Sequence, residues 1–218
     1  MHLFSSIDGY CERHGTNFFA EPINLFTNLA FIIVAFFMWQ RCNGNLTAKV
    51  LVYLLAAIGV GSALLHSFAQ TWAALVDIVA ILIFVLYYLY LANRTFRENS
   101  LWVSLIGVGL FFPYAWLMTS IVYQLNWLDT SAAYIPIALL IGFYAVDLRK
   151  RKPKVAIGLF IGCMMLLTSI GFRAMDLKIC ESFSLGTHFV WHLINALMLG
   201  WMIEVYLRHE NRKINPVK

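Results

Sequence analysis

Two apolar stretches of this chain carry polar side chains at helical spacing. Ser62 and His66 lie four residues apart, and so do His188 and His192. Each pair therefore shares one face of a helix. Asp77 follows eleven residues after His66, inside the same apolar stretch, GVGSALLHSFAQTWAALVDIVA. Ionisable groups in a membrane-spanning helix cost at least about 2.5–3.5 kcal/mol when charged near its centre, and they are usually functional.

The chemistry that these residue types predict is hydrolysis at a metal ion. Three neutral imidazoles from two helices suit Zn²⁺, and three protein ligands leave a fourth position open, as in catalytic zinc sites. Asp77 would serve as a base toward water or would orient a ligand, and Ser62 would donate a hydrogen bond to a developing oxyanion. We predict zinc ligands at His66, His188 and His192, with Ser62 and Asp77 as catalytic residues.

Each of these residues alone has a purely structural interpretation. A single intramembrane histidine is often a hydrogen-bonded packing residue, and Ser62 in GVGSA can be a small residue that lets two helices approach closely. Asp77 can be half of a structural ion pair. The five residues taken together, at one depth in the membrane, favour the metal site.

The elements that must position these residues are membrane-spanning helices. The chain has 218 residues, of which 61% are hydrophobic and 12% are charged. Soluble domains carry about 25% charged residues. Segments of about 17–25 apolar residues are long enough to span a bilayer. We predict one all-α domain over residues 1–218, a bundle of seven transmembrane helices near Ile23–Trp39, Ala48–Phe68, Trp72–Leu91, Leu101–Ile121, Ala132–Val146, Val155–Phe172 and Leu185–Leu207.

The basic residues predict how this bundle is oriented. Of the 16 lysines and arginines, only Arg13, Arg173 and Lys178 fall on the side of the N-terminus. The positive-inside rule therefore places the N-terminal segment, residues 1–22, outside and the C-terminal tail, residues 209–218, in the cytoplasm. The five polar residues then lie in the outer half of the bilayer. The net charge of +5 reflects this topology, and we expect no nucleic-acid partner.

The pattern resembles a known family. The spacing S-x-x-x-H, then an aspartate, then H-x-x-x-H on the last helix is similar to that of the alkaline ceramidases, seven-helix intramembrane zinc amidases of the CREST superfamily. Tyr10-Cys11-Glu12 is similar to the Trp-Cys-Glu block of that family, and AEPIN at Ala20–Asn24 resembles its Ala-Glu-Phe-Trp-Asn entry into the first helix. The resemblance implies hydrolysis of the N-acyl amide of ceramide, or of a ceramide-like membrane lipid, to a fatty acid and a free amine.

The resemblance also implies a disulfide bond. Cys180 precedes the last helix, where the family has a cysteine paired with the N-terminal one, so a Cys11–Cys180 disulfide is expected on the oxidising side. Cys42 and Cys163 are expected to be free thiols.

The family also carries a calcium site near its N-terminus. Here its ligands would be Asp8, Tyr10, Glu12 and Glu21, carboxylate and carbonyl oxygens of the kind that Ca²⁺ prefers. Asp8 is displaced by an extra glycine and His14 replaces an expected asparagine, so the match to the family pattern is incomplete.

Two other classes of function remain open from sequence. One is a receptor-like signalling protein, as in the receptor branch of the superfamily, although that branch has the reverse orientation. The other is a proton or ion transporter in which the histidines and Asp77 form a relay. No obligate protein partner is implied.

Overall fold

The computed structural model describes residues 2–124 and 128–214, and the regular elements of these residues are helices. Seven helical segments are long and apolar enough to cross a membrane. The predicted all-α, seven-span membrane fold is therefore confirmed, whereas the side on which each terminus lies stays a prediction.

Eight α-helices make up these spans: α1 Pro22–Thr27, α2 Leu29–Arg41, α3 Leu46–Phe68, α4 Thr71–Leu91, α5 Leu101–Tyr123, α6 Ile135–Leu148, α7 Pro153–Met175 and α8 His188–Ile214. The first span contains both α1 and α2. The third continues past α4 into a π-helical turn, and the fifth begins with a 3-10 turn ahead of α6.

The predicted start of the last helix was wrong, since α8 begins at His188 and not at Leu185. The Asp176 carboxylate accepts hydrogen bonds from the backbone N–H groups of Thr187 and His188, at 2.7 and 2.8 Å. Such a carboxylate satisfies N–H groups that a helix start leaves unpaired. The helix also continues to Ile214, so the predicted tail from residue 209 is helical to that point.

Close packing between α3 and α4 depends on a glycine. A Cβ atom added at Gly61 would lie 3.1 Å from the Cα of Asp77, so the two backbones touch at this position. This confirms close helix approach in the GVGSA run, although the residue that permits it is Gly61 and not Ser62. The contact brings Ser62 and Asp77 to the same region of the bundle.

The N-terminal segment is fixed across the end of the bundle where α3 ends and α8 begins. The N–H of Ile7 donates to the carbonyl of Ala69 at 2.7 Å, and that of Trp72 donates to the carbonyl of Leu3 at 2.9 Å. The expected disulfide joins Cys11 to Cys180, with their Cα atoms 5.4 Å apart. We call this the histidine end, because it contains His66, His188 and His192.

The opposite end of the bundle, where α2 and α8 finish, is the basic end. There Arg41 and Arg208 both pair with Glu204.

The two remaining cysteines, Cys42 and Cys163, are buried free thiols, as expected from sequence.

Candidate active site

Three histidines converge at the histidine end. His66 lies in the last turn of α3, and His188 and His192 lie in the first turns of α8. One ring nitrogen from each falls within 4.8 Å of the others, and the Nε2 atoms of His66 and His192 are 3.1 Å apart. All three side chains are at most 2% exposed. In the part of the chain that the structure describes, this is the one cluster of three or more His, Cys, Asp or Glu close enough to share an ion.

Two neighbours determine which nitrogens of this cluster face inward. The Nδ1 of His66 is 2.6 Å from the Glu21 carboxylate, and the Nδ1 of His192 is 3.0 Å from the Thr27 hydroxyl. Thr27 directs its own proton to the carbonyl of Ile23 at 2.8 Å, so its oxygen accepts from Nδ1–H of His192. The Nε2 lone pairs of His66 and His192 are thereby available, which is how such partners orient metal ligands.

Glu21 is itself held in place by several donors. It forms a buried ion pair with Arg13 and accepts a hydrogen bond from the amide of Asn24 at 3.1 Å. Burial alone raises the pKa of Glu21, but the hydrogen bonds from His66, Arg13 and Asn24 outweigh it and hold the pKa below its usual value. Glu21 is therefore a carboxylate that can support an imidazole ligand.

His188 completes the cluster with an unpaired nitrogen. Its Nδ1 is buried and has no hydrogen-bond partner among the residues that are described. The ring of Tyr10 packs 4.1 Å from it, centroid to centroid. Burial raises the pKa of Tyr10 well above its usual range, so the phenol stays protonated. A buried imidazole nitrogen without a partner costs free energy, and a metal ion would supply the missing interaction. The three histidines therefore fit a metal ion.

Ser62 and Asp77 lie on the wall of the same cavity as His188 and His192. Ser62 is 5% exposed and Asp77 is 9% exposed. The Oδ1 atom of Asp77 is buried and has no partner within the described ranges. Among the residues that the structure describes, Asp77 has no ion-pair partner at contact distance, so that structural interpretation receives no support.

The cavity has a volume of about 970 Å³ and is lined mostly by apolar side chains. Along α4 its wall extends from Ala74 to Leu89, a rise of about 22 Å at 1.5 Å per residue. Its carboxylate, guanidinium and imidazole groups, those of Asp77, Arg173, His188 and His192, lie toward the histidine end. The arrangement is that of a pocket for an elongated apolar molecule with a polar group at the histidine end.

The residues expected to bind calcium are engaged otherwise. The Glu12 carboxylate accepts hydrogen bonds from the backbone N–H groups of Ile23 and Asn24, at 2.6 and 2.8 Å, and so caps the start of α1. Asp8 is exposed. The ring of Tyr10 packs against the histidines.

A cation already lies beside Glu21, namely the guanidinium of Arg13. Arg13 also donates to the carbonyls of Gly15 and His66, at 3.1 and 3.0 Å. One carboxylate oxygen of Glu21 and these two carbonyl oxygens thus surround the guanidinium group of Arg13. These residues, in the positions described, do not fit a calcium ion. Calcium binding stays a prediction, and these contacts argue against it.

Several residues around the site were not recognised from sequence. Glu21 was assigned to calcium and not to His66, and Thr27 was given no role. Arg173 was counted only as a basic residue, although it lines the cavity. Asp176 is 3% exposed and caps α8. The available signal was Glu21, an acidic residue immediately before α1, whereas Asp176 lies twelve residues before α8 and carries no such signal.

The fold and the site together define a multi-pass helical membrane protein with a candidate metal centre that opens into a lipid-sized cavity. The sequence model of the Ceramidase family matches residues 3–216, nearly the whole chain, and the chain belongs to that family. It is therefore a hydrolase that acts on amides, of the ceramide-hydrolysing class, with a lipid substrate. No curated protein matches the chain by sequence.

Proposed function

We propose that this protein is a zinc-dependent intramembrane amidase that cleaves the N-acyl amide of ceramide or a ceramide-like lipid. The observation that carries the proposal is the buried cluster of His66, His188 and His192, of which His188 and His192 line an apolar cavity. When bound, a zinc ion would polarise the amide carbonyl and acidify a water molecule. The remaining chemistry is assigned to side chains of this chain.

Asp77 is the proposed general base and acid. Its buried, unpaired Oδ1 faces no competing donor from the described residues, so it is free to accept a proton from the attacking water. The water oxygen bonds to the carbonyl carbon, and Asp77 passes the proton to the nitrogen as the C–N bond breaks. Ser62 donates a hydrogen bond to the oxygen of the tetrahedral intermediate.

The acyl chain is proposed to occupy the apolar part of the cavity. Trp116 and Tyr123 of α5 line the cavity, yet they are 73% and 64% exposed on the surface of the bundle. These side chains therefore separate the cavity from the outer surface of the bundle, which would face the membrane. An amphiphilic substrate would therefore enter sideways from the bilayer. We place the site in the outer half of the membrane, following the positive-inside rule.

The test is hydrolysis by purified protein in lipid nanodiscs, with ceramide and a panel of N-acyl lipids as substrates. We expect activity with stoichiometric zinc, loss of activity on zinc removal, and recovery on re-addition. Release of a fatty acid and a free amine in equal amounts identifies the amide as the bond cleaved. Turnover by protein that contains no metal would contradict the proposal, as would full zinc loading without hydrolysis of any acyl amide.

A further inference from the structure

Four polar atoms are buried without hydrogen-bond partners at the cavity wall, considering the described part of the chain. They are Oδ1 of Asp77, Nε of Arg173, Nδ1 of His188 and Oδ1 of Asn195. Buried polar groups are nearly always paired, so unpaired ones indicate a missing ligand. The proposed hydrolysis accounts for Asp77 and His188. It leaves the guanidinium of Arg173 without a role.

Arg173 lies in the last turn of α7, at the histidine end. Aromatic rings surround its guanidinium carbon, which is 5.4 Å from the centroid of Tyr134, 5.6 Å from Trp191 and 6.0 Å from Tyr10. Its Nη1 donates to the Thr130 hydroxyl at a long 3.4 Å and the Tyr134 side chain is a second polar partner, whereas Nε has no partner among the described residues. This packing holds the side chain in one place and leaves donors available.

No carboxylate within the described ranges forms an ion pair with Arg173. By contrast Arg13, the buried arginine at this end, pairs directly with Glu21. Asp77 acts on Arg173 only through a longer-range electrostatic interaction. A zinc ion at the histidines would add two positive charges nearby. Charges interact strongly where water is excluded, so with zinc bound this end of the cavity would carry more positive charge than Asp77 alone can balance, and an anion would offset it.

We propose that Arg173 binds an acidic group, a carboxylate or a phosphate, on the head group of the lipid that this protein hydrolyses. The proposal rests on the function proposed above and specifies its substrate class. Arginine suits this role because its planar fork matches both anions with two parallel hydrogen bonds. Arg173 shares its end of the cavity with the histidines, and the apolar wall runs away from them. The acidic group therefore belongs to the amine fragment and not to the acyl chain.

The experiment compares neutral and acidic substrates that carry the same acyl chain. One pair is ceramide and ceramide 1-phosphate, which tests phosphate. The other is an N-acylethanolamine and the corresponding N-acylglycine, which tests carboxylate. We expect the wild-type protein to show a KM at least about 10-fold lower for one acidic member than for its neutral partner, the range of a charge-assisted hydrogen bond.

The variants are Arg173→Gln and Arg173→Lys, with Lys178→Gln as the control for an exposed cation at the same end. Arg173→Gln should bring the ratio of the two KM values to about 1 while zinc content stays within about twofold. Arg173→Lys keeps the charge and loses the fork, so it should retain part of the preference. Lys178→Gln should behave as wild type.

A binding measurement keeps the test independent of turnover. Wild-type protein should bind a long-chain alkyl phosphate or alkyl carboxylate at least about 10-fold more tightly than the alcohol of equal length, and Arg173→Gln should not. Equal binding of all three by the wild type overturns the proposal, even where amide hydrolysis is observed. An equal loss of kcat on neutral and acidic substrates in Arg173→Gln also overturns it, since that would show a general catalytic role. Absence of hydrolysis of every amide, with anion binding intact, instead rejects the proposed function.

Discussion

At the basic end, Glu204 shares its carboxylate between Arg41 and Arg208, whose side chains are 61% and 55% exposed. At the histidine end, Arg13 and Glu21 form a pair whose side chains are 4% and 1% exposed. The same two residue types thus occupy opposite environments within one bundle. Exposed pairs contribute about 0–1 kcal/mol each, whereas removing one partner of a buried pair costs about 3–5 kcal/mol.

This difference separates the charge that we predict to orient the protein from the charge that we propose to take part in chemistry. The cations of the basic end are exposed or paired at the surface, as a topological signal requires. The polar groups of the histidine end are buried in apolar surroundings, which is costly unless partners or ligands compensate. Matched substitutions at the two ends should therefore have very different effects.

The largest effect should come from His192→Ala. It removes one of the three proposed ligands and leaves the Thr27 hydroxyl without its partner. We expect loss of stoichiometric zinc and a fall in amide hydrolysis of at least about 10³-fold, because no third histidine remains to hold the ion. His209→Ala, a histidine of the same helix at the basic end, is the control and should retain metal and activity. Comparable zinc content in the two variants would contradict the distinction drawn between the histidine end and the basic end.

Asp77→Asn should reduce turnover next most strongly. Asparagine keeps the size of the side chain but cannot take up a proton, so kcat should fall about 10²–10⁴-fold while most of the zinc stays bound. Rapid-mixing kinetics with parallel metal analysis would separate a loss of turnover from a loss of zinc. The matched control is Asp147→Asn, since Asp147 pairs with Arg97 and Arg151 at the basic end. Loss of zinc equal to the loss of activity would show that Asp77 supports the metal and not proton transfer.

Glu21→Gln should weaken zinc binding by about 10–100-fold, the usual effect of removing a partner of a ligand. Glutamine can still bond to His66, but it gives up the charge that makes the imidazole a stronger donor. Competition with a chelator measures the affinity. Glu204→Gln removes a carboxylate of the basic end and should leave zinc affinity unchanged. An unaltered affinity in Glu21→Gln would mean that the His66 contact serves packing alone.

The smallest effect on chemistry should come from removing the disulfide with Cys11→Ala and Cys180→Ala together. A cross-link that closes a long loop stabilises by about 2–4 kcal/mol, so the midpoint of thermal unfolding should fall. Zinc content at low temperature should stay near that of the wild type. Reductant should lower the midpoint of the wild type and leave that of the double variant unchanged. Equal sensitivity to reductant in both would assign the effect to Cys42 or Cys163.

The sequence predicted the spans and the three-histidine cluster because both follow from local patterns. Apolar runs of bilayer length define helices, and polar residues four apart share a face. Apart from the histidine cluster and the disulfide, which the helix depths and the family resemblance implied, it did not predict the contacts that cross between distant segments. Glu21 meets His66, Asp176 caps α8, and Arg173 reaches the cavity only because particular helices pack together. Nothing in the spacing of a single acidic or basic residue reveals which of several buried partners it will have.

The disulfide between Cys11 and Cys180 also has a consequence for biosynthesis. The segment that covers the candidate metal centre is made first, and the helix that supplies two of its three histidines is made last. Helices α1 to α4 must therefore remain in the bilayer with the Nε2 of His66 lacking its neighbour His192 until α8 is inserted. On the function proposed above, the nascent protein stays inactive until its final span is in place.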